Sequence, residues 1–368
     1  MKIGIYHRRV SWNTSGGVSV YLQEIAAQLA KEHSVTVFSS ADEQVAPKLA
    51  DSDVNVITYD RSVMAKRLEQ LTQSKLAPEK IDSLSLFLSG VLRGMRSDIR
   101  SQCDVLLTGF PVDDILVSNL VNIPCIFQYH SLDVINKGTK IHDFVSSSEL
   151  TIANSQSIAD RLQTEVRIRT NGVVEPGVDY EFFSEGKQSV LPDQGVSIVF
   201  VGRLIKNKGV QDIIKAISNE PQFQLHIIGE GEYEKNLMRI CSKKSVSRRV
   251  TFHGRKPRSK VRDYLCSADI VCHPSYDETW CMTNFEAMAA GSPLITTNLD
   301  TICQYADHEE NCLLVEPGNP NQIQESLQRI NENPEFAKDL IDGGRKTSKK
   351  YSWESQANDI CKHIRNCL

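Results

Sequence analysis

Arg203 and Lys208 stand five residues apart in Gly202-Arg203-Leu204-Ile205-Lys206-Asn207-Lys208-Gly209, directly after the apolar run 196–201. Two cations leaving one strand end, with no carboxylate between them in the chain, suit a dianionic ligand; each charge-assisted contact is worth about 1.5–3 kcal/mol. Glu278 and Glu286 stand eight residues apart farther on, the first in a loop and the second at the opening of a helix. Thr283 suits the N-cap of that helix. Thr283-Asn284-Phe285-Glu286 has the S/T-x-x-E form of a capping box, which Glu286 would close. Ala287 to Ala290 are strong helix formers and Gly291 suits the C-cap. A helix that opens at the carboxyl end of a parallel strand gathers free N–H groups and the positive end of its dipole at one point, which is again an anion site. Three weaker signals accompany these. Gly229-Glu230-Gly231 follows a strand and is ordinary turn chemistry by itself. Gly16 and Gly17, after Ser15, open a helix and either form a flexible turn or let an anion approach the backbone. His130 ends an apolar run at the sheet edge where α/β folds take ligands, and is either structural or a ligand contact.

The elements that must hold these residues alternate in type. Apolar runs read as strands near 3–6, 35–38, 54–59, 104–108, 124–130 and 150–155. They recur at 196–201, 224–228, 250–254, 268–272, 293–296 and 312–315, with helical periodicity between them. The fold class predicted is α/β, with two doubly wound, Rossmann-like parallel-sheet domains facing a cleft. The N-terminal domain is expected over 1–185 and the C-terminal domain over 186–350. A terminal helix over 351–368 is expected to pack back toward the first domain. One long amphipathic helix is predicted from Pro78 to Cys103, with Ile81, Leu84, Leu88, Val91, Leu92, Met95 and Ile99 in helical period. Its basic stripe, Arg93, Arg96 and Arg100, is either a solvated face or an attraction for anionic lipid headgroups, so peripheral membrane contact is assigned to 79–102. Gly90 and Gly94 weaken this helix.

At 368 residues the chain exceeds one ordinary core, and its 40% apolar and 24% charged residues are those of a soluble globular protein. A net charge of −4 provides no electrostatic footprint for nucleic acid. No apolar run reaches the ~20 residues of a membrane span. The opening Met1-Lys2-Ile3-Gly4-Ile5-Tyr6 reads as a first strand and not as a signal peptide. Ten cysteines without a C-x-x-C pair read as free thiols of a reducing cytosol, with Cys361 and Cys367 expected to be exposed. The location expected is cytoplasmic, at or near the inner face of a membrane.

Glu278-x7-Glu286 followed by Ala287-Met288-Ala289-x-Gly291-x-Pro293 resembles the signature of the retaining GT-B glycosyltransferases of family 4, also called group 1. Gly202-Arg203-Leu204 with Lys208-Gly209, and Gly229-x-Gly231, resemble further motifs of that family in the same order. Asn154-Ser155 and the stretch from Asn171-Gly172 to Asp179 are similar to others, with the order of the latter altered. The resemblance implies a metal-independent hexosyltransferase without a cofactor, using a UDP-, GDP- or ADP-sugar. Its acceptor would be lipid-linked or a saccharide, in glycan or surface-polysaccharide assembly. It implies that Arg203, Lys208, Gly229, Gly231 and the amides around Met282 and Thr283 hold the nucleotide diphosphate, with Gly16 and Gly17 facing the phosphates. Glu286 then bonds ribose, unless it closes the capping box. Glu278 and His130 face the donor sugar as the catalytic pair. Retention would follow from same-face transfer, the leaving phosphate helping to deprotonate the acceptor. The family's Gly-rich loop is replaced by the bulkier Thr279-Trp280-Cys281-Met282-Thr283, which leaves the sugar open. Asp51-Ser52-Asp53 has the D-x-D form of a metal motif, but no cluster surrounds it. The alternative is a nucleotide-sugar epimerase or hydrolase on the same architecture. A dinucleotide oxidoreductase is disfavoured because neither half carries G-x-G-x-x-G.

Overall fold

Short runs of branched and aromatic residues with polar ends pair in parallel in both halves of the chain. The computed structural model describes residues 1–12, 16–41, 45–72, 76, 78–109, 111–130, 150–187, 190–192 and 195–366. The chain divides into two units. Unit 1 comprises Met1–Pro176 with the terminal helix Trp353–Arg365, and unit 2 comprises Gly177–Ser352. The sequence reading set the junctions at 185/186 and 350/351.

Unit 1 holds β1 (Lys2–Tyr6), β2 (Ser34–Ser40), β3 (Val54–Tyr59), β4 (Val105–Thr108), β5 (Cys125–Tyr129), β6 (Leu150–Ala153) and β7 (Gly172–Val173). They form a seven-stranded parallel sheet in the order β3-β2-β1-β4-β5-β6-β7. Ile3, Ile5, Val37, Leu106, Leu107, Ile126 and Phe127 are fully buried, as on a sheet covered by helices on both faces. The terminal helix belongs to this core. Its Trp353 ring lies 5.7 Å from that of Tyr21, and Ile360 and Ile364 are fully buried. Cys361 on it is buried, with Sγ 3.3 Å from His33 Nε2, which corrects the expected exposure. Its sequence period places Cys361 beside the apolar face, and among the described residues the exposed thiol is Cys303. Cys367 lies outside the described residues.

The single helix expected over 78–103 is two, Pro78–Leu92 and Met95–Gln102. Gly94, at φ 90°, turns the corner in the left-handed region that a side chain disfavours. Gly90 lets the second helix close on the first, because a Cβ there would lie 2.7 Å from Met95 Sδ. Two glycines read as weakening one helix thus make a helical corner, with Met95 and Ile99 fully buried inside it.

Unit 2 holds β8 (Val196–Val201), β9 (Phe223–Ile228), β10 (Val250–Gly254), β11 (Ile270–His273), β12 (Leu294–Thr297) and β13 (Leu313–Val315). The parallel order is β10-β9-β8-β11-β12-β13. Strand order reverses between β1 and β4 in unit 1 and between β8 and β11 in unit 2. Open α/β sheets take ligands at such switch points, outside the carboxyl ends of the strands.

The helix Met282–Ala290 is fixed to unit 2's sheet by Asn284, which is fully buried. His273 Nδ1, at the end of β11, lies 2.9 Å from Asn284 Oδ1, and the Val201 N–H donates to His273 Nε2 at 3.3 Å. His273 is therefore the neutral Nδ1–H tautomer. The Asn284 amide donates to Thr296 Oγ1 on β12 and to the Tyr305 hydroxyl, each at 3.0 Å. Asn284→Ala leaves the buried His273 donor without an acceptor and removes the two amide donations. It should cost about 3 kcal/mol. A urea titration of the variant should show a lower midpoint with an unchanged slope; a midpoint equal to wild type would refute the role.

Candidate functional site

At unit 2's switch point two loops are tied together. The first leaves β8 and carries Arg203, a 3-10 turn at Lys206–Lys208, and Gly209. The second leaves β11 and carries Tyr276 and Glu278 before the helix Met282–Ala290. Gly209 has φ 71°, and a Cβ there would lie 1.9 Å from the Pro274 carbonyl oxygen, so only glycine allows the loops to touch. The Tyr276 N–H donates to Asn207 O at 2.7 Å. Its hydroxyl donates to Asp212 Oδ2 and accepts from Gln211 Nε2 at 2.7 Å. Asp212 is buried and also takes Lys215 Nζ at 2.8 Å.

Lys208 and Glu278 form an ion pair of 2.5 Å, with side chains 23% and 10% exposed. Burial is the largest influence and works against the Lys208 ammonium, but the charge and hydrogen bond of Glu278 together with Cys281 outweigh it and the pKa is raised. The two cations, with no carboxylate between them in the chain, are therefore not equivalent. Lys208 is held by a carboxylate brought 70 residues along the chain, whereas Arg203 is exposed, with no carboxylate on it among the described residues. The Glu278 carbonyl accepts from Thr301 Oγ1 at 2.9 Å, which fixes the loop from the other side.

The capping box is absent. The helix begins at Met282, with Cys281 as its N-cap and no side-chain cap. Thr283 is inside the first turn, where its hydroxyl cannot serve as N-cap, and Glu286 lies beyond the N3 position of a box. The first-turn amides of Met282 and Thr283 have no intrahelical acceptor by geometry. Cys281, buried between the two glutamates, has its thiol pushed up to about 12, by burial first and then by the Glu278 and Glu286 charges. Gly229 and Gly231 have a packing reason. Cβ atoms there would lie 1.9 Å from Gly202 O and 2.4 Å from Leu204 O, so this turn buttresses the Arg203 loop. The Leu204 N–H donates to Glu230 O at 2.9 Å.

In unit 1, Gly16 is the exposed N-cap of the helix Gly17–Leu29, and a Cβ added to it meets nothing within 4 Å. His130 follows β5 with Nε2 3.3 Å from Gln128 Oε1 and its ring 4.6 Å from that of Tyr21. Burial lowers its pKa to about 4, so it is a neutral imidazole near pH 7. The sequence-derived residues thus form two groups, one in each unit. Lys208 meets Glu278 directly, and Gly229 and Gly231 meet the Arg203 loop. Sequence reasoning missed Tyr276, Asp212, His273, Asn284 and Thr301. An asparagine within an otherwise apolar helical run was the one available sign. Among the described residues no group of three or more His, Cys, Asp or Glu gathers as for a metal ion.

Residues 15–182 match the family described as Glycosyltransferase Family 4, and residues 182–347 match Glycosyl transferases group 1. An uncharacterized glycosyltransferase of Methanocaldococcus jannaschii is 26% identical over 323 residues, covering 85% of this chain and 89% of that one. Among solved structures, sucrose-phosphate synthase from Thermosynechococcus elongatus superposes with a TM-score of 0.80 at 18% identity, covering 99% and 98% of the two chains. Anabaena HepE in complex with UDP-glucose does so with a TM-score of 0.79 at 17% identity, over 100% of each chain.

His130 and His273 are both lowered to about 4, chiefly by burial. The unfolded imidazole titrates near 6.5, so between these limits the unfolded chain binds more protons. Their contribution is complete above about pH 6.5 and is lost progressively as pH falls toward 4. Urea midpoints measured at pH 7.5 and 5 should drop at the lower pH. Gly229→Ala should destabilise unit 2 and reduce soluble yield, since φ 143° and the 1.9 Å approach both exclude a side chain; a wild-type melting profile would contradict that packing role.

Proposed function

The chain belongs to the group 1, family 4 glycosyltransferases, with the GT-B fold of two parallel-sheet α/β units, and from that premise we propose that it transfers a hexose from a nucleoside-diphosphate sugar, with retention, to a lipid-linked or saccharide acceptor. The observation that carries this reading is the cation pair and helix opening beside unit 2's switch point. Breaking the sugar–phosphate bond places negative charge on the departing diphosphate and oxocarbenium character on the sugar. Arg203, Lys208 and the amides of Met282 and Thr283 are preorganised for the first charge, in a role that a metal ion would otherwise fill. The UDP-glucose bound by the HepE neighbour supports a donor of this class, with UDP, GDP and ADP as candidate carriers.

Lys208 enters donor binding already paired. A diphosphate that takes the ammonium releases Glu278, whose carboxylate is then available to the sugar hydroxyls. His130, neutral, serves as a hydrogen-bond partner and not as a cation. Glu286, with no box to close, is assigned to ribose, and the open space at Gly16 with Gly17 to backbone approach by phosphate. Retention is assigned to same-face transfer in which the leaving phosphate takes the acceptor proton. Peripheral membrane contact is assigned to the helical corner, where Val91 and Leu92 are 41% and 76% exposed beside exposed Arg93, Arg96 and Arg100. No helix of the described residues is long and apolar enough to cross a membrane.

A thermal-shift screen of UDP-, GDP- and ADP-sugars tests the donor class. A ligand at about 100 times its Kd adds about 2.7 kcal/mol, and silence toward all of them would defeat the proposal. NMR of the product's anomeric proton checks retention, which an inverted product overturns. Lys208→Ala should weaken nucleoside diphosphate binding by about 10–100-fold, because it removes a charged contact and leaves Glu278 facing the phosphates. The Lys208→Ala/Glu278→Gln double variant should recover part of that loss; additive losses would mean that Glu278 does not compete for Lys208.

A further inference from the structure

Between residues 235 and 262 the chain carries eleven Lys and Arg and no Asp or Glu, although its net charge is −4. Between 300 and 342 the balance reverses, with ten Asp and Glu against two Lys and Arg. The topology of unit 2 sends these stretches to opposite edges of one sheet. The first covers the helix Glu234–Lys243 from its second residue, the edge strand β10 and the opening of the helix Arg258–Cys266. The second holds β13, the other edge strand, and continues into the helices Pro320–Glu332 and Pro334–Lys350. Neighbouring strands lie about 4.8 Å apart, so the two edges of this sheet are about 24 Å from each other. With a Debye length of about 8 Å at physiological salt, neither edge neutralises the other within one copy.

Part of the basic stretch is held inside the unit. Arg249 Nη1 donates to the Ile217, Glu220 and Phe223 carbonyls at 2.9–3.1 Å, and Asp263 takes Arg262 at 3.2 Å and Lys260 at 3.6 Å. Lys235, Arg239, Lys243, Lys244 and Arg248 are exposed, and none of them has an ion pair among the described residues. Arg239 donates only to the neutral Asn236 Oδ1, at 3.2 Å. Leu237 and Cys241 face inward, so Lys235, Arg239 and Lys243, each four residues apart, form one outward stripe. Like charges at that spacing repel, and Lys235 stands in the first turn, where the helix dipole disfavours a cation. Helix stability therefore does not account for the stripe. Met238, 45% exposed, adjoins it. On the other edge Glu325, Glu332, Glu335, Asp339 and Asp342 are exposed and likewise have no ion pair among the described residues. Lys338 is the one cation between 330 and 344. Glu325 lines a groove together with Leu313, Leu314 and Val315 of β13.

Charge guards an exposed strand edge when the approaching edge carries the same sign. Here β10 and β13 lie among opposite signs, so the guard fails between the β10 edge of one copy and the β13 edge of another. A flat anionic surface would use the basic edge and leave the acidic one unexplained. We propose that unit 2 associates head to tail with a second copy of this chain, the basic edge at β10 of one protomer facing the acidic edge at β13 of its partner. Such a contact is heterologous and leaves one edge of each sign open on the pair. Charge complementarity holds it, and salt therefore weakens it. The association does not depend on the donor chemistry assigned to the switch point.

Sedimentation velocity of the full chain tests this at about 20 mM and about 300 mM salt, between which the Debye length falls from about 20 Å to about 6 Å. One variant reverses the basic stripe (Lys235→Glu, Arg239→Glu, Lys243→Glu) and a second reverses the acidic edge (Glu325→Lys, Glu332→Lys, Asp339→Lys). At low salt the sedimentation coefficient of wild type should rise with protein concentration, and at high salt it should not. Each variant alone should associate at least about 10-fold more weakly. An equimolar mixture of the two should associate again, because one presents two acidic edges and the other two basic edges. Misfolding cannot produce that rescue. A wild type that stays monomeric at low salt, association that ignores salt, variants that associate as wild type does, or a mixture that stays monomeric would each overturn the proposal. Co-sedimentation with phosphatidylglycerol vesicles is measured on the same samples. Vesicle binding lost in the first variant, with wild type monomeric, would assign the basic edge to a lipid surface instead. Should either triple variant lower the urea midpoint, Arg239→Glu and Asp339→Lys, alone and mixed, decide the outcome in the same way.

Discussion

The geometry of unit 2's site depends on the hydrogen bonds of one buried asparagine. Asn284 joins the end of β11 to the third position of the next strand through His273 and Thr296, and reaches Tyr305 with its remaining donor. Such a network is strong because every member is satisfied in a low-dielectric setting, and for the same reason each member depends on the others. It holds the opening of the helix Met282–Ala290 at the sheet edge. Around it Trp280, Phe285 and Tyr305 pack with ring centroids 4.3–5.3 Å apart, so the loop bearing Glu278 rests on a rigid aromatic floor.

Upon that floor, charge is arranged in opposition. Lys208 and Glu278 neutralise one another, whereas Arg203 stands exposed. A buried ion pair with no further partner recovers little net stability once desolvation is counted. Its value is therefore better sought in what each group does when the other is taken by a ligand. The loops bearing them cannot separate freely. Gly209 against Pro274, Tyr276 against Asn207 and Thr301 against the Glu278 carbonyl each fix a backbone position. Rearrangement is thus confined to the side chains.

Much of this architecture was legible from spacing. Apolar runs with polar ends announced buried parallel strands, and the alternation with helical segments announced two doubly wound sheets. Local signals that depend on tertiary packing were misread. Thr283 and Glu286 have the form of a capping box, but Asn284 has to reach His273, and the helix starts two residues earlier than the box requires. Gly90 and Gly94 read as defects in a long helix because the Met95 contact that demands them is invisible in one dimension. The pairing of Lys208 with Glu278 spans 70 residues, beyond any periodicity argument. Arg9 and Asp82, which pair in unit 1, likewise stand 73 residues apart. Chemistry-bearing residue types were visible; their partners were not.

The terminal helix Trp353–Arg365 lies in unit 1 although unit 2 separates it from the rest of that unit. During synthesis the ribosome delivers all of unit 2 before the residues that cover Tyr21 and the helix Gly17–Leu29. The half of the protein translated first is consequently the last to close its core. Until then its nascent form presents an open apolar groove, the kind of surface on which chaperones act.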